Sequence, residues 1–178
     1  MNRRSMLGLA GLLAVPGCGF RPMYMETASG NPGVAQRELA AVSVDLLPDR
    51  PGQLLRQALQ QRLGGGSSGV SRKYDLGVNY TIGGEGIGIQ GDNSVTRIRL
   101  IAHGAWTLRR QDPARSPLTS GSSRAIDGLN ILNQQFFAAD LEQEVVQQRL
   151  ADAIADQIVA QLAAYFRKRA AAAPGGTG

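Results

Sequence analysis

Residues 74–82 of the chain read Tyr-Asp-Leu-Gly-Val-Asn-Tyr-Thr-Ile, and apolar and polar side chains alternate strictly along them. Successive side chains of a strand point to opposite faces of a sheet, so this period of two predicts a strand with one buried face. The predicted buried face carries Tyr74, Leu76, Val78, Tyr80 and Ile82. The opposite face, which we expect to be open to solvent, carries Asp75, Gly77, Asn79 and Thr81.

The sequence after this strand predicts that the chain returns beside it. Residues 83–91 are rich in glycine, which favours a bent, bulged or mobile hairpin. Residues 96–110 then alternate again as a long strand, and the turn at Asp112-Pro113 leads to a weaker strand over 118–126. The inward side chains of the long strand are Ile98, Leu100, Ala102, Gly104, Trp106 and Leu108. Its outward side chains are Arg97, Arg99, Ile101, His103, Ala105, Thr107 and Arg109.

The sequence before these strands predicts one more strand and a helix, and the sequence after them predicts a second helix. Residues 41–46 alternate as a first strand, and apolar residues between Leu54 and Leu63 recur at helical spacing until Gly64. Residues 138–168 predict one long helix. Its apolar stripe consists of Leu141, Val145, Leu150, Ala151, Ile154, Ile158, Leu162, Tyr165 and Phe166. The order strand, helix, three strands, helix predicts an α+β two-layer sandwich, in which two helices cover one face of a four-stranded mixed sheet.

Residues 1–17 have the pattern of an export signal. Arg3 and Arg4 precede an apolar run from Met6 to Val15, which is too short to cross a bilayer as a helix. Cys18 follows at the position of the acylated cysteine in bacterial lipoprotein precursors, although the residue two before it, Pro16, departs from their usual pattern. We therefore expect lipidation at Cys18. The alternative is an ordinary secretory signal with an incidental cysteine.

These patterns divide the chain into four parts. We expect a signal peptide over 1–17, an acylated N-terminus and tether over 18–37, a folded domain over 38–169 and a disordered tail over 170–178. Several acyl chains hold a protein stably at a membrane. By resemblance to bacterial lipoprotein precursors, Gly19 in place of an acidic retention residue after the cysteine favours the outer membrane. Two N-terminal arginines do not distinguish general secretion from twin-arginine export.

The composition excludes several classes of function. One cysteine permits neither an internal disulfide nor a cysteine-based zinc site, and a single histidine excludes a multi-histidine metal centre. Without residues 1–17 the chain keeps 17 of its 19 basic residues against 14 acidic ones, so we expect no nucleic-acid partner. His103 has no neighbouring carboxylate, and the glycine-rich segment lacks the lysine and the helix of a phosphate loop. We expect no catalytic residue, metal or cofactor.

Arg97, Arg99 and Arg109 are the most informative polar residues. They share one face of the predicted strand, and guanidinium groups at fixed spacing bind phosphate in bidentate fashion. The alternative is that these charges keep the strand soluble and prevent edge-to-edge aggregation.

Three segments together resemble a known family. Cys18 to Tyr24 reads Cys-Gly-Phe-Arg-Pro-Met-Tyr, and Phe136-Phe137-Ala138 is followed by the last predicted helix, which ends with Leu-Ala-Ala-Tyr-Phe-Arg over Leu162 to Arg167. With the order of elements, they resemble the lipopolysaccharide-assembly lipoproteins of the LptE family, particularly short alphaproteobacterial members. The likeness extends over nearly the entire chain.

This resemblance implies a non-enzymatic outer-membrane lipoprotein. Such a protein plugs the LptD β-barrel, helps it to assemble and takes part in transporting lipopolysaccharide to the outer leaflet. It also implies that basic side chains contact lipopolysaccharide, a role that we assign to Arg97, Arg99 and Arg109. The alternative function is a periplasmic lipoprotein that binds a lipid or small ligand without a barrel partner, which would need an enclosed apolar pocket.

Overall fold

A computed structural model describes residues 33–64, 70–89, 95–130 and 136–172. The predicted signal peptide, Cys18 and most of the predicted tether lie outside these residues, as do 173–178 of the predicted tail. The described helices are α1 (Val34–Ala40), α2 (Asp49–Leu63) and α3 (Phe136–Ala172), and the strands are β1 (Val42–Val44), β2 (Tyr74–Ile89), β3 (Val95–Arg110) and β4 (Pro117–Asn130).

The four strands form one mixed sheet in the order β1-β2-β3-β4. β1 runs parallel to β2, whereas β2, β3 and β4 are joined antiparallel, so the predicted α+β architecture is confirmed. Helices α2 and α3 pack against each other and against the sheet, and they enclose one continuous apolar core.

Helix α2 follows from its apolar spacing and from the glycine that ends it. Leu55 and Leu59 are fully buried, and Gly64 adopts a left-handed conformation with φ of 77°. That conformation is the usual C-terminal stop of a helix and is costly for a residue with a β-carbon. The helix begins at Asp49, five residues before Leu54, the first apolar residue of the predicted spacing.

Helix α3 is 37 residues long, or about 55 Å, and supplies much of the core. Leu150, Ile154 and Ile158 are buried as predicted, but Val145 is 54% exposed and its neighbour Val146 is fully buried. Steps of four residues connect Val146 to Leu150 and Ile154 on one face, which is why the adjacent valine points outward. Leu141 lies outside the described side chains.

A short helix, α1, replaces the end of the predicted tether. It buries Ala35 and Leu39, and the Glu38 carboxylate accepts a 2.6 Å hydrogen bond from the Tyr74 hydroxyl. The Arg169 side chain at the end of α3 donates to the same hydroxyl oxygen over 3.4 Å. A helix of seven residues is unstable alone, so these tertiary contacts hold it, and no helical period in the sequence indicates it.

β2 and β4 are longer than their side-chain pattern predicted, whereas β1 covers only Val42–Val44 of the predicted 41–46. β2 continues through its glycine-rich end to Ile89, and β4 continues to Asn130, because backbone pairing with β3 persists where the alternation fades. The predicted irregular hairpin is confirmed, since the register shifts between Gly86 and Gly88 and again before Ile89. At the other end of the molecule α3 also extends past its predicted end, to Ala172.

Candidate functional site on the open sheet face

The surface of interest is the sheet face opposite the helices, here called the open face. None of the described helices packs on it, and most of its side chains are exposed. From β2 it carries Asn79, Thr81, Gly83 and Glu85. From β3 it carries Arg97, Arg99, Ile101, His103, Ala105, Thr107 and Arg109, and from β4 it carries Ser120, Ser122, Arg124 and Ile126.

An ionic network occupies the end of the open face nearest β1. The guanidinium of Arg109 lies 3.9 Å from the Asp45 carboxylate, and Arg115 approaches Asp75 to 3.5 Å. Asp75 was predicted to be solvent-exposed but is buried, because Arg115 and Gln111 in the loop after β3 cover it. A buried carboxylate needs such partners, so the charged groups at this end of the face stabilise the fold and are occupied by contacts within the protein.

The middle of the open face is a shallow trough made by small residues. It has a volume of about 540 Å³ and is lined by Gly77, Val78, Asn79, Ala105, Trp106, Thr107, Arg109, Ser120 and Gly121. Arg109 extends over Gly77, where a β-carbon would lie 3.1 Å from a guanidinium nitrogen. The trough therefore depends on side chains too small to fill it.

Arg97 and Arg99 lie near the hairpin end of the open face. Arg99 is paired in register with Glu85, but the closest approach of their charged groups is 3.9 Å, and both side chains are about half exposed. An exposed pair at that distance contributes little to stability. The Arg97 side chain is also exposed and reaches toward Gly128 on β4. These two guanidinium groups are accessible to a ligand.

Arg109 is separated from the other two predicted arginines. Ten residues along a strand correspond to about 33 Å, so Arg99 and Arg109 cannot contact the same small group. Arg109 also has an acidic neighbour, Asp45. The structure therefore places the three predicted residues on one face but brings only Arg97 and Arg99 together.

Strand pairing adds two residues of β4, Arg124 and Ile126, that the linear sequence did not indicate. His103 stands in register between Thr81 and Arg124, and Ile101 stands beside Ile126, which is 52% exposed. We use the name distal patch for Arg97, Arg99, Ile101, His103, Arg124 and Ile126. The position of Arg124 follows only from the β3–β4 register, since no motif marks it.

The distal patch combines basic groups with an apolar strip. Arg97 and Arg99 lie on one side of the Ile101–Ile126 pair, and His103 and Arg124 lie on the other. Guanidinium groups bind phosphate or carboxylate, whereas exposed isoleucine favours hydrocarbon. The arrangement therefore suits an amphiphile with anionic groups.

A second depression lies on the helix side of the sheet and is here called the recess. It has a volume of about 440 Å³ and is lined by Pro48, Asp49, Pro51, Gly52, Tyr80, Thr81, Ile82, Leu100, Gln143 and Gln147. The Tyr80 hydroxyl is buried without a hydrogen-bond partner, and burial raises the pKa of Tyr80 to about 12. The phenol is therefore neutral at physiological pH.

Neither depression has the features of a catalytic centre or of a sealed ligand cavity. Both open to the surface. In the part of the chain that the structure describes, His103 has no hydrogen bond to a carboxylate that would orient it as a base. Within the same residues, no helix combines the length and the apolar character needed to span a bilayer.

Solved structures share this fold. A protein of Caulobacter crescentus CB15, described as a candidate lipoprotein, aligns with a TM-score of 0.62 and 21% identity over 75% of this chain and 96% of its own. Rare lipoprotein B of Shewanella oneidensis aligns with a TM-score of 0.53 and 14% identity over 72% of this chain and 96% of its own. Lipoprotein B of Nitrosomonas europaea aligns with a TM-score of 0.52 and 13% identity over 71% of this chain and 82% of its own. Identities this low support the fold alone.

Comparison of sequences identifies the family. No curated protein matches the chain significantly. The family model for LptE, described as lipopolysaccharide-assembly, matches residues 39–162, which is 124 of the 178 residues. The predicted resemblance is thereby confirmed, and with it the expectation that the protein is not an enzyme. The chain belongs to the LptE family of lipopolysaccharide-assembly lipoproteins.

Proposed function

We propose that this protein is anchored in the outer membrane by acyl chains on Cys18 and plugs the LptD β-barrel. In this role it helps the barrel to assemble and takes part in delivering lipopolysaccharide to the outer leaflet. The observation that carries the proposal is the open face, a whole side of the sheet that the described helices leave uncovered and that is mostly small, polar or basic.

The character of the open face suits the interior of a barrel. Outer-membrane barrels are apolar outside and polar inside, so a domain within the lumen needs polar contacts more than apolar ones. Asn79, Thr81, Ala105 and Ser122 supply short side chains along the middle of the face. A short side chain lets another surface approach the sheet closely, which favours an extended contact along the strands.

The distal patch is the proposed contact for lipopolysaccharide. Arg97 and Arg99 would bind the anionic groups of the glycolipid, and His103 and Arg124 would extend the basic surface. The Ile101–Ile126 strip provides a place for acyl carbon beside them. Arg109 remains a candidate for a separate contact at the other end of the open face, because about 33 Å separates it from Arg99.

Binding of lipopolysaccharide tests the patch directly. We expect the double variant Arg97→Asp with Arg99→Asp to weaken binding of purified lipopolysaccharide at least about tenfold in a direct titration, with an unchanged unfolding midpoint. Arg72→Asp with Arg110→Asp makes the same change in net charge at exposed positions far from the patch. Equal loss of lipopolysaccharide binding in both double variants would mean that net charge alone causes it, and would reject the assignment.

Co-purification tests the plug. We expect Ala105→Trp, which places a large ring in the trough, to abolish recovery of tagged LptD with the full-length protein extracted in detergent. Gln57→Trp, on the exposed side of α2, is the matched control and should retain the barrel. If the wild-type protein recovers no barrel and still binds glycolipid alone, a carrier without a barrel partner is the correct function.

Acylation is a separate part of the proposal. Cys18→Ser removes the sulfur that would carry the lipid, so the variant should lose the mass of the acyl chains and leave the membrane fraction. Mass spectrometry of the mature N-terminus measures both cleavage and acylation. An unacylated wild-type product would reject the anchor.

A further inference from the structure

The two edges of the β2–β3–β4 meander are treated differently by the rest of the chain. At the β4 edge, the Gln157 side chain accepts a hydrogen bond from the Arg124 backbone N–H over 3.2 Å and donates to the Arg124 carbonyl over 3.0 Å. The Gln161 side chain donates to the Ser122 carbonyl over 3.1 Å. Two glutamines one helical turn apart therefore occupy three backbone groups of this edge, which hinders pairing with another strand there.

Within the residues that the structure describes, the opposite edge is covered only at its beginning. β1 pairs with β2 from Tyr74 to Leu76, and the Asp45 N–H donates to the Leu76 carbonyl over 3.0 Å. This bond fixes the direction of the even-numbered residues, whose N–H and C=O groups point away from β3. Among the described residues, nothing bonds the corresponding groups of Val78, Tyr80, Ile82 and Gly84.

The connection to α2 explains why the edge is left open. After Val44 the chain leaves the sheet, Leu46 is 84% exposed, and Pro48 leads directly into the helix. This connection also forms one wall of the recess, whose other wall includes Tyr80 and Ile82. An unpaired strand edge thus borders a depression large enough for a side chain.

We infer that the edge of β2 from Val78 to Gly84 is a docking site for an extended segment of a partner protein. The segment adds to the sheet beside β2 and places one apolar side chain in the recess. Alternating donors and acceptors at strand spacing match another polypeptide backbone and no lipid or sugar, so the partner is a protein. The inference is independent of barrel plugging and of the glycolipid contact.

Charge distinguishes a different partner from a second copy of this chain. Asp49 lines the recess, and Glu85 follows the edge immediately. Edge-to-edge pairing of two copies would bring the Asp49 carboxylates of both chains to one short interface, where like charges disfavour association, whereas Glu85 already has Arg99 at 3.9 Å. A segment with basic residues beside its strand would meet Asp49 favourably, so the proposed partner segment is basic at its ends.

Defined peptides test the site with the full-length protein in detergent. The probes are fluorescein-labelled nine-residue peptides, Lys-Thr-Val-Thr-X-Thr-Val-Thr-Lys, in which X is Ala, Val, Leu or Phe. We expect at least one to bind, with an affinity that depends on X because that side chain enters the recess. Replacing both lysines by glutamate should weaken binding, more so at low salt.

A pair of variants at one position isolates the backbone contact. Gly84→Pro removes an N–H that the sheet does not use, whereas Gly84→Ala keeps it and adds a β-carbon in ordinary contact with Leu100 and Ile98. We expect about tenfold weaker binding for the proline variant and unchanged binding for the alanine variant. Matching unfolding midpoints establish that both variants are folded.

Hydrogen exchange of the wild-type protein tests the same contact without substitution. Bound peptide should slow exchange at the amides of Val78, Tyr80 and Ile82 and leave those of Gly77 and Asn79, already directed to β3, unchanged. The inference is overturned if no peptide binds, if Gly84→Pro binds as well as wild type, or if protection falls elsewhere. A wild-type dimer that Gly84→Pro dissociates would identify a second copy as the occupant and overturn it too.

Discussion

On the helix side of β3, Ala102, Gly104 and Leu108 are buried, whereas His103 and Ala105 between them are exposed on the open face. One strand therefore serves two surfaces with different physical tasks. The helix side is fixed by close packing, so its side chains decide stability. The open side has few packing constraints, which leaves its residues available for contacts with other molecules.

The largest expected difference compares isoleucines on the two sides. Ile154→Ala, in the core, should lower the free energy of unfolding by about 2–5 kcal/mol because it leaves a cavity. Ile126→Ala makes the same change on the open face, where the side chain is half exposed, and should cost less than about 1 kcal/mol. Urea unfolding of both variants measures the difference, and similar losses would contradict an open face.

Glycines give a second comparison. At Gly121 a β-carbon would lie 2.7 Å from both the Trp106 ring and the Gln161 side-chain oxygen, so Gly121→Ala should destabilise by about 1–3 kcal/mol. At Gly83 a β-carbon meets no atom within 4 Å, and Gly83→Ala should leave stability unchanged or raise it by up to about 0.5 kcal/mol. Thermal unfolding distinguishes them, and a stable Gly121→Ala would show that the tryptophan can shift.

Tyr80 makes the helix side sensitive to alkaline pH. Its pKa is about 12 in the folded protein and near 10 when unfolded, so the unfolded state ionises first. The contribution of neutral Tyr80 to the free energy of unfolding is present below pH 10 and is lost as pH rises from 10 to 12. At pH 11 the loss should be about 1 kcal/mol, since part of the ring remains open to solvent.

Tyr80→Phe isolates this contribution. The variant should unfold like wild type at pH 8, or be slightly more stable, because the buried hydroxyl has no partner to lose. The difference between the two unfolding curves should then grow between pH 10 and 12 in favour of phenylalanine. A difference that is constant with pH would mean that Tyr80 ionises normally.

The smallest expected effect concerns the covered edge. Gln157→Ala removes both side-chain hydrogen bonds to Arg124 and should cost less than about 1 kcal/mol, because water reaches that edge. Its clearer consequence should be faster aggregation in light-scattering assays, since the β4 backbone is then free to pair. Gln57→Ala, on the exposed side of α2, should change neither quantity. Unchanged aggregation of Gln157→Ala would mean that other features protect the edge.

Local periodicity predicted the parts of the fold that it governs. The alternation from Tyr74 to Ile82 apart from Asp75, the helical spacing before Gly64 and the inward face of β3 are confirmed. The assignment of Val145 to the apolar stripe was wrong, because steps of four residues back from Ile154 and Leu150 lead to Val146, which is the buried valine. α1 was missed because seven residues carry no helical signal apart from the contacts that stabilise them.

The candidate site was less predictable because it depends on pairing between strands. The arginines of β3 were identified from their common face, but a shared face does not give proximity, and Arg109 lies far from Arg99. Arg124 joins His103 only through the β3–β4 register. Asp75 followed the strand alternation yet is buried, because the loop after β3 folds over it. The lipidation of Cys18 stays a prediction.

The hydrogen bonds of Tyr74 determine where a pull on the N-terminal segment would be felt. Burial, together with the bond to Glu38, raises the pKa of Tyr74, so its phenol stays protonated as the donor that holds α1. Arg169 brings the end of α3 to the same oxygen. If acyl chains on Cys18 anchor the protein, a force on the N-terminal segment would act first on the contact between α1, β2 and α3 at Tyr74. The distal patch lies at the other end of β3 and would not be loaded directly.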